Sequence, residues 1–308
     1  FGGGEANVAV SLAQFGCDSY YVTRLPASEI GDAALRALRA EGVNVEHVVR
    51  GGSRLGVYFA ETGASQRASN VIYDRGHSAI SEIQPGSVPW HDVFDGASWF
   101  HCTGITPALS ESAHDCTREA LHAAKRAGVR ISVDLNYRKK LWSESAAQQA
   151  MRPLMSLVDV VIANEEDLQA VLGIEMPHAD VVGASLDITS YRQAAEREFD
   201  VKQVAVTLRE SLSASDNAWS AVLFDLTTRS FYQSQRYVVR LVDRIGGGDS
   251  FAAGLIFGLL NGRDGESSLR FAVAASALKQ TIPGDFNHVS VTEVERLVAG
   301  DASGRVQR

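Results

Sequence analysis

The chain has 308 residues, 45% of them hydrophobic, which suits one large α/β domain with a substantial core and excludes a disordered chain. Its formal net charge of -8 excludes a broad nucleic-acid or anionic-membrane surface, because either needs a dominant positive field. An anionic small-molecule substrate would therefore be met by a few placed arginines or by backbone amides.

In chain order, residues 8–15 read as a helix after the opening loop, 20–25 as a strand, and 32–40 as a helix closed by Gly42. The segment 54–75 breaks this rhythm. Leu55, Val57 and Phe59 alternate with Gly56, Tyr58 and Ala60, a polar turn follows at 62–69, and Asn70-Val71-Ile72-Tyr73-Asp74-Arg75 completes a hairpin signature. An isolated hairpin is marginal in water, so this one must pack on the main sheet, on a ligand or on a partner subunit; a lid and an ordinary edge hairpin both satisfy that demand. Strands are expected at 99–102, 129–134, 158–163 and 204–208, with helical stretches between them. The alternation predicts a layered α/β fold with a largely parallel sheet. No repeat, low-complexity tract or linker divides the chain, so a single domain over 1–308 is expected, with a lid segment at about 53–76.

Cys17, Cys102 and Cys116 are odd in number and lack metal-site spacing, which predicts free thiols in a reducing, cytoplasmic compartment. No apolar run approaches the roughly 20 residues needed to cross a bilayer. The sequence opens without Met in Phe1-Gly2-Gly3-Gly4, where a core strand is expected to precede the loop, so targeting is not legible from this start. The histidines do not cluster in metal-ligand spacing; His77 and His101 are expected as hydrogen-bonded structural residues.

The strongest chemical signal is Asp243-Arg244-Ile245-Gly246-Gly247-Gly248-Asp249, followed by an apolar run that ends at Asn261-Gly262 as a buried helix would. Three glycines leading into a helix N-terminus let an anion approach unpaired N–H groups and the positive end of the helix dipole, an arrangement suited to a phosphoryl group. Asp249 can be a plain dipole partner or cap. It can also be a base that takes a proton from a substrate hydroxyl while the glycine amides hold the phosphoryl charge. A Walker loop is excluded because no lysine follows the glycines, and a dinucleotide fingerprint is excluded because Phe251 stands where a glycine is required.

Residues 243–256 resemble the C-terminal signature of the ribokinase-like (PfkB) carbohydrate kinases, and Gly2-Gly3-Gly4-Glu5-Ala6-Asn7-Val8-Ala9 resembles their N-terminal glycine signature. The resemblance spans nearly the whole chain with its motifs in family order. It implies a three-layer α/β/α fold with a small β-hairpin lid over the sugar and in-line transfer from ATP. Asp249 is then the catalytic base, and Gly246, Gly247 and Gly248 form the anion hole. ATP and Mg²⁺ are the implied cofactors; a monovalent cation requirement stays open.

Within the family, Glu5 in Gly-Gly-x-Glu-x-Asn, Val133-Asp134-Leu135-Asn136-Tyr137-Arg138 and Ile282-Pro283-Gly284-Asp285-Phe286-Asn287 are similar to the 2-keto-3-deoxygluconate kinase branch. Carried over, Gly3 and Asn7 would contact sugar hydroxyls, Tyr58, Tyr73 and Arg75 would bind the substrate from the lid, and Arg138 would lie near the substrate and the transferred phosphate. Tyr73 and Arg75 are two apart and so share one face of a strand, and an arginine fork pairs bidentately with a carboxylate. Each has a plainer alternative: a turn for Asn7, hairpin stiffening for the tyrosines, a solvated edge charge for Arg75, an ordinary basic loop for Arg138. A kinase for a neutral sugar of the fructokinase or ribokinase type, and a catalytically silent sugar-binding regulator, are the competing functions.

On the nucleotide side the resemblance points to Asn136, Thr207, Arg209, Gly246 and Gly248. Thr207 and Arg209 are expected to end a strand, where open α/β sheets place ligands, and to lead into a serine-rich loop at 208–219. Asn164-Glu165-Glu166-Asp167 resembles the family's Asn-x-x-Glu element that helps to place Mg²⁺, with Asp167 in place of the glutamate; acidic residues at a helix start are also plain dipole partners. Val273 stands where many relatives carry an asparagine near adenine, and Arg244 replaces a small residue of the signature. A homodimer through the lid is expected, because a symmetric partner would cover an exposed sheet face.

Overall fold

The structure, a computed structural model, describes residues 1–174 and 201–301; the parts of the expected domain at 175–200 and 302–308 lie outside the described residues. Strand β1 (Arg24–Leu25) pairs in parallel with β2 (Val49–Arg50), while β3 (Val57–Glu61) and β4 (Asn70–Asp74) form a separate antiparallel hairpin. The main sheet begins with four parallel strands, β5 (Trp99–Thr103), β6 (Arg130–Asp134), β7 (Val160–Asn164) and β8 (Gln203–Ser211). Strand β9 (Asp216–Asp225) turns back antiparallel on β8 and pairs along its other edge with β10 (Ser230–Gln233) and β11 (Tyr237–Arg240).

Side chains of period two divide each central strand between two cores. Val161 and Ala163 of β7 and Val204, Val206 and Leu208 of β8 join one apolar cluster with the Glu111–Arg126 and Glu144–Met151 helices. Val160, Ile162 and Ala205 point the other way, into a cluster with the Gly247–Leu260 and Gly265–Lys279 helices. These are the three α/β/α layers that the resemblance implies. The Gly247–Leu260 helix is apolar on every side because the sheet and two helices enclose it. Where it crosses Gly265–Lys279, a Cβ on Gly254 or Gly258 would come within 2.8 Å of the Cα of Ala272 or Ser268, so glycine sets the helix separation there.

Three expectations are corrected. The first helix starts at Gly4, not at Val8, so Asn7 is a helical residue and the opening loop is shorter. Of 20–25 only Arg24–Leu25 forms a strand; Tyr20 makes an isolated bridge to Asn44. The loop expected at 208–219 is a hairpin whose β8 and β9 pair from Gln203↔Asp225 to Ser211↔Asn217. Serine content suggests a loop, but the turn is only 212–215, closed by the Leu212 and Ser213 amides donating to the Asp216 carbonyl. Thr207 and Arg209 therefore lie within β8 and not at its end.

Candidate active site

Open α/β sheets bind ligands beyond the carboxyl ends of their parallel strands, and here Thr103, Asp134 and Asn164 end β5, β6 and β7 with Thr207 in register beside Asn164. Asp134, Asn164 and Thr207 line one cleft of about 2390 Å³, together with the glycine turn and the inner face of the hairpin. That volume holds two substrates side by side, since a single ligand pocket is typically about 300–1,000 Å³. Every site residue predicted from sequence lines this cleft: Gly3, Asn7, Tyr58, Tyr73, Arg75, Asn136, Arg138, Asn164, Asp167, Thr207, Arg209, Gly246, Gly247, Gly248 and Asp249.

The glycine turn is shaped as its composition demands. Gly246 has φ 78° and caps the Gly247–Leu260 helix; its left-handed backbone is open to glycine, and a Cβ there would run into the carbonyl oxygen of Asp285. Asp249 follows in the first helical turn. Asn7 Nδ2, held on the first helix, donates to Asp249 Oδ2 at 2.7 Å. Burial pushes the Asp249 carboxyl up to about 6, against the Asn7 hydrogen bond and the Arg138 charge. A base of that kind is ionised near neutrality and still accepts a proton readily.

Two further buried carboxylates stand beside it. Burial raises Asp134 well above the usual carboxylate range, helped by the charges of Asp167 and Asp249. Asp167 is pushed up to about 6 by burial, with Arg138 opposing. Arg138 is the cation common to all three, in a loop where its Nη1 donates to the Tyr137 carbonyl at 2.9 Å. Asn164 accepts from the Asp167 amide at 2.8 Å, so its side-chain oxygen is engaged as a helix cap. Among the described residues no three His, Cys, Asp or Glu side chains are arranged to hold a metal by themselves. Buried, under-neutralised Asp134 and Asp167 fit Mg²⁺ instead, which is commonly held by one or two carboxylates together with substrate phosphates.

The hairpin presents two unlike faces. Tyr58 and Tyr73 are direct cross-strand partners on the inner face, with ring centroids 6.2 Å apart, and the Arg75 guanidinium carbon lies 3.9 Å from the Tyr73 ring centroid. Tyr58 Oη donates to Asp285 Oδ1, which ties the hairpin to the residue beneath the glycine turn. At the hairpin tip, the Ala214 amide donates to the Ser65 carbonyl at 2.7 Å and the Ser65 amide to Ser215 Oγ at 2.9 Å. Arg244 Nη2 donates to the Ala214 carbonyl at 3.1 Å, so the arginine of the signature supports the β8–β9 turn.

Other predicted residues are placed less favourably. Thr207 Oγ1 donates back to the Ala163 carbonyl at 3.3 Å. Val273 is wholly buried in the helical core and does not line the cleft, so it makes no adenine contact. His101 Nδ1 pairs with Ser132 Oγ at 2.8 Å as expected of a structural residue, while its Nε2 has no partner and burial lowers its ring to about 4. Cys17, Cys102 and Cys116 are free thiols. The sequence reading named no role for Asp134, Lys279 or Asp285 individually, although Asp134 and Asp285 fall in segments it singled out.

The pfkB family of carbohydrate kinases matches residues 1–289, in one stretch that contains both glycine signatures, the hairpin and Asp249. The chain belongs to that family. A 2-dehydro-3-deoxygalactonokinase of Haloferax volcanii is 34% identical over 98% of this chain and 88% of its own length. A 2-dehydro-3-deoxygluconokinase of Bacillus subtilis is 28% identical over 94% and 84%. The crystal structure of a 2-dehydro-3-deoxygluconokinase from Thermotoga maritima superposes with a TM-score of 0.92 at 48% identity, covering 97% of this chain and 90% of that one. As a carbohydrate kinase, the protein requires a phosphoryl donor, a sugar hydroxyl and a base; the cleft sets the Asp249 carboxylate beside a glycine turn at a helix N-terminus.

Proposed function

We propose that the protein transfers the γ-phosphoryl group of ATP to the terminal hydroxyl of 2-keto-3-deoxygluconate. The observation that carries this reading is that one cleft gathers Asp249, at the glycine turn, with two arginines, Arg75 at the end of the hairpin and Arg138, whose charge acts on both. A neutral sugar gives Arg75 no anion to pair with, whereas a sugar acid offers a carboxylate that an arginine fork grips in a bidentate manner. Kinases named for 2-dehydro-3-deoxy sugar acids among the similar proteins support the same class.

In the reaction, Asp249 takes the proton of the sugar's terminal hydroxyl as its oxygen bonds to the γ-phosphorus and the bond to the β–γ bridging oxygen of ATP breaks. The Gly248 amide and the positive helix end at the Gly246 to Gly248 turn stabilise the equatorial oxygens of the group in flight, while the Gly247 amide donates to the Arg244 carbonyl at 3.4 Å. Gly3, Asn7, Tyr58 and Tyr73 orient the sugar, and Arg138 faces the transferred group. Asn136, Thr207, Arg209, Gly246 and Gly248 border the nucleotide. Asp167 and Asp134, with Asn164, would hold Mg²⁺, which would neutralise phosphate charge. No step is assigned to a monovalent cation.

The lid's outer face exposes Val57, Phe59 and Ile72 at 42%, 62% and 57%, and this reading has a second copy of the chain cover it in a homodimer. Sedimentation of the wild type should give a dimer, and of Phe59→Asp a monomer.

A coupled ADP-release assay tests the substrate. 2-Keto-3-deoxygluconate should be used with kcat/KM at least about 10²-fold above fructose, ribose and adenosine, because an unpaired Arg75 penalises the neutral sugars. Faster turnover of a neutral sugar would replace the substrate. Binding of the acid with no ADP release would identify a silent regulator.

A further inference from the structure

Lys279 is the last residue of the Gly265–Lys279 helix, and it has no solvent-exposed surface. An ammonium ion so placed is costly unless oxygens surround it. Here its Nζ donates to the carbonyl oxygens of Ile282 at 3.2 Å and Gly284 at 2.8 Å. Burial lowers its affinity for its proton, while the carboxylates of Asp243, Asp285 and Asp249 act to keep it charged. The shell, backbone carbonyls backed by carboxylates, is the oxygen environment of a bound cation.

The ammonium lies at the seam of the two segments that build the glycine turn. Val242 and Asp243 donate their amides to the Gln280 carbonyl at 2.9 and 3.2 Å. The Asp243 carboxylate accepts from Ile245 and from Gly284, each at 3.0 Å. Gly246 completes the seam: a Cβ there would lie 3.1 Å from Lys279 Cε and would overlap the Asp285 carbonyl. A site that receives a phosphoryl anion is thus backed by Asp243 and Asp285, whose negative charges oppose that anion. Lys279 is the cation that faces both of them from behind the turn.

We infer that Lys279 is the built-in monovalent cation of this active site, a positioning residue whose ammonium holds the 282–284 carbonyls against the Gly246 turn and offsets the carboxylates behind the anion hole. The enzyme then needs no added potassium, sodium or ammonium ion. The inference rests on the reading of Gly246 to Asp249 as the transfer site.

The test begins with the wild type, whose turnover should change by less than about twofold when potassium, sodium or ammonium replaces tetramethylammonium at about 0.1 M and constant ionic strength. Activation of fivefold or more, on the order expected of a missing charge, overturns the inference. Lys279→Ala opens a cavity at the ammonium's place; its kcat should fall by at least about 30-fold and recover at least about tenfold with potassium, ammonium or methylammonium. Lys279→Met keeps the stem and closes the cavity, so it should lose as much and recover nothing. A Met variant that melts near the wild type and keeps its kcat overturns the inference, as does a folded Ala variant that none of the three cations rescues. If neither variant folds, the wild-type cation series decides alone. A wild type that turns over no sugar breaks the functional reading, whereas one that turns over only with added cation breaks this inference.

Discussion

Ten of the fourteen residues in the Gly247–Leu260 helix are buried, while none of the ten strand residues of the β3–β4 hairpin is. The helix and its glycine turn are locked by core packing on all sides and by the Asp243, Lys279 and Asp285 contacts beneath. The hairpin is held by a few polar links: Tyr58 to Asp285, Ser65 to Ala214 and Ser215, and Arg54 to Asp74 at 2.7 Å. The contrast suits a division of labour. Transition-state charge needs donors that do not reorganise, and these belong on a buried helix end. Substrate choice needs a surface that can open, and a barely buried hairpin opens at little cost in core contacts. The Tyr58–Asp285 bond joins the two regions.

Substitutions that break one region and spare the other sharpen this comparison. Gly246→Ala has the largest expected effect, because it forces a side chain into the left-handed backbone and against the Asp285 carbonyl. A displacement of the turn by about 1 Å costs on the order of 10²-fold in kcat, with sugar KM little changed, as steady-state kinetics would record. Arg75→Ala acts on the lid alone: KM for the sugar acid should rise about 10- to 100-fold, the worth of a charged hydrogen bond, while kcat and the KM for ATP stay near the wild type. An unchanged sugar KM would remove Arg75 from the substrate side. Tyr58→Phe cuts the link between the regions and should cost only about 3- to 10-fold in kcat/KM, since a single hydroxyl contact is lost. Its melting temperature should stay within about 2 °C of the wild type, because the lid carries little of the core.

The same contrast explains what was legible in the sequence. Glycines before an apolar run announce a helix N-terminus, and alternation between polar turns announces a hairpin, so Asp249 and the lid could be placed from local pattern. Lys279 carries no such signal: a lysine that closes an apolar helical run reads as a solvated charge at the helix end, and only tertiary folding shows it buried against carbonyls 282 and 284. Asp134 ends a predicted strand and Asp285 falls in a segment noted only for its family resemblance, and neither feature says that both carboxylates converge on the cleft. Residues 208–219 misled because serines weigh toward loop, whereas cross-strand pairs such as Arg209↔Trp219 decide the outcome. Thr207 lines the cleft, yet its hydroxyl is spent on the neighbouring strand.

The most direct measurement is the pH dependence of kcat for the wild type and Asp249→Asn, with 2-keto-3-deoxygluconate and saturating ATP. Asp249 must be ionised to take the hydroxyl proton, and burial pushes its carboxyl up to about 6, so wild-type kcat should be level above that pH and fall about tenfold per unit below it. Asp249→Asn should bind ATP normally and turn over at least about 10²-fold more slowly at pH 8. Near-wild-type turnover in that variant, with the acid limb still in place, would contradict the account.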